Sequence, residues 1–132
     1  MTASIAAGRD ITEADLNDTL TSFYDKITVD PMLRQYFDDV DMRSHMPRIV
    51  AFWSTSLFQT RQYSGNAFRP HLEMPGLTGA HFALWVASLE QVVDAQFTGP
   101  AASLMKDLAH RIAYSMQVRL GIHPFEAFRS AT

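Results

Sequence analysis

Four stretches of this chain repeat apolar residues at helical spacing, none shows sustained alternation, and this confines it to an all-α fold. In the first, Leu16, Leu20, Phe23, Tyr24 and Ile27 recur at steps of three and four, and Thr12 with Asp15 forms a capping box ahead of them. Asp30-Pro31 then opens a short turn over 31–37, which Asp38-Asp39 closes. Asp41 or Ser44 caps a second helix with Ile49, Phe52, Trp53, Ser56 and Leu57 inward, and Pro47 falls in or near its first turn. His45 shares that inward stripe. Thr78 caps a third helix from Gly79 to about Phe97, with Phe82, Trp85, Leu89 and Val92 or Val93 inward. Thr98-Gly99-Pro100 breaks it. The last helix runs from Pro100 to Leu120, with Leu104, Leu108, Ile112, Met116 and Leu120 on one stripe and Gly121 as its C-cap.

A chain of 132 residues fits one domain, expected over 11–132 with residues 1–10 as a flexible tail. Net charge is −3 and the pI about 5.9, without the clustered Lys and Arg of a nucleic-acid footprint. With no cysteine, disulfides, thiolate zinc sites and cysteine nucleophiles are excluded. No run of about 18 apolar residues would span a membrane, and residues 1–10 lack the pattern of a secretory signal. The expectation is a soluble cytoplasmic protein that touches neither nucleic acid nor membrane.

Between the helix pairs the periodicity vanishes, from Thr60 to Phe68, and Ser64-Gly65-Asn66 is turn chemistry. A small helical domain rarely keeps so long an irregular loop without using it. This one leads into His71, within Phe68-Arg69-Pro70-His71-Leu72-Glu73-Met74-Pro75-Gly76, and Pro75-Gly76 limits that element to a single turn. Nine Phe and seven Met are many for this length, and Met adapts to irregular surfaces, a cofactor included. A single imidazole amid rings, with no carboxylate–histidine cluster, suits a flat apolar cofactor that carries its own metal, and haem is the obvious candidate.

Rival chemistries fail on spacing. The four glutamates, Glu13, Glu73, Glu90 and Glu126, are followed three places on by Leu, Gly, Val and Arg, so no Glu-x-x-His di-iron pair exists. There is no His-Glu-x-x-His motif, no Gly-x-Ser-x-Gly elbow and no Gly-rich phosphate loop. Among the other histidines, His110 and His123 read as solvated and His81 as a helix-cap or surface residue.

The ordered series Phe23-Tyr24, Phe37, His45, Phe52-Trp53, Tyr63-x-Gly65, His71-x-x-x-Pro75 and His81-Phe82-x-x-Trp85 resembles the group III truncated haemoglobins. It covers the chain from about residue 20 to residue 120, and the paired glycine motifs common in groups I and II are missing. The resemblance implies a two-over-two helical sandwich around haem b. His71 would be the proximal iron ligand. Tyr24 and Trp85 would lie on the distal side, with His45 at the haem mouth and Phe37 wedged against the porphyrin. Ile49, Phe52, Trp53, Leu72, Met74, Phe82 and Met116 would wall the cofactor. Tyr63, Arg69 and Arg48 are candidate propionate partners.

Such a protein would bind dioxygen, carbon monoxide or nitric oxide. Tyr O–H and Trp N–H are both donors, and each hydrogen bond in a dry pocket contributes about 1.5–3 kcal/mol. That implies slow ligand release, which suits capture or redox turnover better than delivery. Nitric oxide dioxygenase or peroxidase-like chemistry would need a separate reductase. Two other classes stay open: a cofactor-free helical interaction module, and a sensor domain for another apolar ligand.

Overall fold

The computed structural model describes residues 8–61, 74 and 76–122. Its long elements are α1 (Leu16–Ile27), α2 (Met42–Phe58), α3 (Gly79–Asp94) and α4 (Pro100–Arg119), and no strand occurs among the described residues. The all-α expectation therefore holds. Helix α1 packs on α2 and α3, α3 packs on α4, and α2 also meets α4. Two helix pairs thus enclose a main core, with a smaller buried cluster of Phe82, Val86, Ala113 and Met116 between α3 and α4.

Local chemistry sets the boundaries. Thr12 N–H donates to Asp15 Oδ2 at 2.8 Å, completing the expected capping box over a single 3₁₀ turn (Glu13–Asp15) that runs into α1. Leu16, Leu20, Phe23 and Ile27 of α1 are fully buried, as their spacing requires. The Asp30 carboxylate accepts from Met32 N–H at 2.9 Å, starting the turn that ends in a 3₁₀ segment (Arg34–Tyr36). Asp41, not Ser44, caps α2, accepting from Arg43 N–H at 3.1 Å. Pro47 consequently lies inside the helix, past its first turn, and removes one backbone hydrogen bond.

The N-terminal approach is tied down more firmly than a tail would be. Residues 1–7 lie outside the described residues, but Arg9 bridges to Phe97, with Thr98 N–H donating to Arg9 C=O at 2.8 Å. The Asp10 carboxylate accepts from Ala101 N–H at 2.9 Å and Ala102 N–H at 2.8 Å, capping α4 from a distance in sequence. Gly99 makes room for it: a Cβ there would meet Asp10 Cγ at 2.5 Å, at φ +148°. Helix α4 ends in a Schellman motif. Gly121 at φ 77° donates to Val118 C=O, and Ile122 N–H donates to Gln117 C=O at 2.8 Å.

The buried stripe of α4 differs from the expected one. Leu104 is 38 % exposed, whereas Met105 is fully buried, and Ala102, Ala109, Ala113 and Met116 continue inward. Small alanines let α4 sit close to its neighbours, so the helix turns by one position from the face its leucines mark. Helix α3 stops at Asp94, three residues before the expected end, though Phe97 still packs into the core.

Candidate functional site: an apolar cavity between the helix pairs

A cavity of about 230 Å³ lies between the two pairs. Helix α1 contributes Tyr24 and Ile27, the 31–37 turn contributes Leu33, Tyr36 and Phe37, and α2 contributes His45, Arg48, Ile49, Phe52 and Trp53. Met74 and Leu77 lead into α3, which adds His81, Phe82 and Trp85, and α4 closes the wall with Ile112, Ala113 and Met116. Eleven of the expected site residues are thereby brought to one cavity: Tyr24, Phe37, His45, Arg48, Ile49, Phe52, Trp53, Met74, Phe82, Trp85 and Met116. Tyr63, Arg69, His71 and Leu72 lie outside the described residues.

Rings meeting edge to face order the inner wall. Phe23 contacts Tyr24 at 4.9 Å and Trp85 at 5.9 Å between ring centroids, and Tyr24 contacts Phe37 at 6.0 Å. Phe23 is fully buried behind them, so it buttresses the two polar rings that face the cavity. Burial of the Tyr24 hydroxyl pushes its pKa up to about 12, and a side-chain hydrogen bond from Trp85 pulls weakly the other way. An indole only donates, so Trp85 gives its N–H to the phenol oxygen and the phenol keeps its own proton.

His45 is half-buried in the first turns of α2. Burial lowers its pKa, and the neighbouring Arg48 charge lowers it further, so the imidazole is held neutral. His81 serves as the cap residue expected of it: Thr78 N–H donates to His81 Nδ1 at 3.1 Å. Its ring stands edge to face with Tyr36 at 5.7 Å. His110 pairs with Glu90 at 3.0 Å, outside the cavity, and His123 lies outside the described residues.

Tyr36, Leu33, Leu77, His81 and Ala113 line the cavity without having been expected there. The i, i+3 spacing of Leu33 and Tyr36 in the short turn was the available signal. Nothing in sequence separated a cap histidine from one that both caps and lines.

The lining has a one-sided chemistry. Its polar groups are phenol, indole, imidazole and guanidinium, with no carboxylate among the described lining residues. The rest is aliphatic, aromatic or thioether. Such a wall fits a large apolar ligand whose polar atoms are acceptors or anions, which is the chemistry of a porphyrin dicarboxylate. Among the described residues no group of three or more His, Cys, Asp or Glu could hold a bare metal ion, and no helix is long and apolar enough to cross a membrane.

The arrangement of the two helix pairs has a close counterpart among solved structures. The fold matches the crystal structure of the group III truncated hemoglobin from Campylobacter jejuni with a TM-score of 0.76, 22% identity and coverage of 86% of this chain and 94% of that one. The chain is likewise 22% identical over 113 residues to the group 3 truncated hemoglobin of Campylobacter jejuni, spanning 81% of this chain and 89% of the relative. No family model matches. The resemblance to group III truncated haemoglobins, read from the ordered aromatic and histidine series, is therefore met in both sequence and fold.

Proposed function

We propose that the chain is a haem protein that takes haem b into this cavity, with His71 as the axial ligand to its iron. The observation that carries the reading is the half-buried Tyr24–Trp85 pair facing a cavity with no carboxylate among its described lining residues, between two helix pairs. The fold likeness to a truncated haemoglobin supports it. Haem, when bound, supplies an iron centre for dioxygen, carbon monoxide or nitric oxide.

The chain's own residues would then set what happens there. With Trp85 donating to its oxygen, Tyr24 is free to turn its O–H toward the cavity as a preset donor. A pKa near 12 keeps that proton in place throughout the physiological range. His45, neutral beside Arg48, controls access without placing a second cation at the mouth. Phe37 and Phe52 exclude water from the apolar wall. Arg48 makes no ion pair or hydrogen bond among the described residues, so it is the candidate partner for one propionate, with Tyr63 and Arg69 as further candidates.

A preset phenol donor, oriented by Trp85, favours retention of a polar diatomic ligand, hence redox or detoxifying chemistry with nitric oxide or peroxide rather than delivery. Electrons would come from a separate reductase, since no flavin or nicotinamide motif is present. We assign this work to the reducing cytoplasm, in keeping with a chain that has no cysteine.

Titrating haem into the apo-protein tests the proposal. Saturable uptake of one haem per chain, with a growing Soret band, is the expected result. A folded protein that takes up no haem contradicts it and favours an interaction module.

A further inference from the structure

The imidazole of His81 does two things at once. Its Nδ1 accepts from Thr78 N–H at 3.1 Å and lies 2.9 Å from Thr78 Oγ1, which completes the capping box at the start of α3. A backbone amide can only donate, so Nδ1 must present its lone pair. The ring proton is thereby assigned to Nε2. That nitrogen makes no hydrogen bond among the described residues, although the ring lines the cavity. The Tyr36 ring, perpendicular to it at 85°, holds its plane.

Capping boxes ordinarily place Glu or Gln at this position. A glutamate here would cap equally well but set an anion at the cavity wall. Histidine keeps the acceptor that the cap needs and leaves a donor for the cavity. No described lining residue is a carboxylate, so an occupant that brings its own carboxylate meets a donor with no competing anion in the described wall.

We propose that His81 anchors the cavity's ligand by donating from Nε2–H to one of its carboxylates, which makes the site selective for an acidic porphyrin over its neutral ester. The inference rests on the haem reading above and extends it to a residue that the sequence reads as a helix-cap or surface histidine. His81 is a binding residue of the cofactor; it takes no part in diatomic-ligand chemistry.

Metal-free protoporphyrin IX and its dimethyl ester separate this contribution from the iron–histidine bond. Fluorescence titrations would compare the parent protein with His81→Glu, which preserves the cap and removes the donor. The parent should prefer the diacid. In His81→Glu that preference should fall roughly tenfold or more, the value of one hydrogen bond to a charged group. Its thermal midpoint should stay at or above the parental one, because the cap survives. An unchanged preference in a stably folded His81→Glu overturns the inference while leaving the haem reading intact. His81→Phe, which removes the donor without adding an anion, should show the same fall and carries the comparison if His81→Glu does not fold. Failure of the parent to bind either porphyrin overturns the haem reading, and this inference with it.

Discussion

At the scale of single residues, the site depends on pairs whose members define each other's chemistry. Trp85 donates to Tyr24, and this leaves the phenol proton for the cavity. Tyr24→Phe should therefore release dioxygen faster than the parent protein by roughly tenfold or more, as measured by stopped-flow displacement. Trp85→Phe removes the bond that orients the phenol and should accelerate release as well, by a smaller factor. Parental rates in both variants would remove Tyr24 and Trp85 from the ligand's surroundings. These two residues, with Phe37, His45 and Phe52, were legible because an ordered series of rings and imidazoles at fixed spacings is hard to produce by chance. The Tyr24–Trp85 bond itself was not. Sequence spacing places two donors near one another but does not say that one of them spends its proton on the other.

At the scale of elements, periodicity located the helices and misjudged how one of them is turned. Helix α4 buries Ala102, Ala109 and Ala113 and leaves Leu104 38 % exposed, since close approach favours small side chains over the longest apolar ones. A stripe drawn through leucines alone misses that choice. The start of α4 also depends on a partner ninety-one residues away, because Asp10 rather than a local side chain satisfies Ala101 and Ala102. No local motif announces such a cap. Gly99 is its visible cost: at φ +148° and with Asp10 Cγ 2.5 Å from a notional Cβ, substitution strains the backbone and displaces the carboxylate. Gly99→Ala should lower stability by more than about 1 kcal/mol in urea unfolding, with an unchanged slope. A neutral effect would mean that the Asp10 cap contributes nothing.

At the scale of the whole molecule, two carboxylates pin the N-terminal approach to the helical body. Burial works against the Asp10 charge, yet the N–H groups of Ala101, Ala102 and Ile11 hold its pKa below the usual 3.8. Asp15 is held well below that value, chiefly by its hydrogen bonds with Arg9 and also by Thr12. A carboxylate whose folded pKa is depressed contributes stability above its unfolded value and loses it as pH falls through the folded one. The thermal midpoint should therefore drop between about pH 5 and pH 2, and less steeply in Asp10→Asn. The two-pair architecture was legible from four periodic stretches and their Pro and Gly breaks. The element that carries the proposed axial ligand was legible only as an irregular loop leading into a lone imidazole, and it lies outside the described residues. Haem attachment thus turns on position 71, and the most direct test is the visible spectrum of His71→Gly loaded with haem. The expected result is a shifted, weakened Soret band that free imidazole restores toward the parental form. A parental spectrum in the variant without imidazole would contradict it.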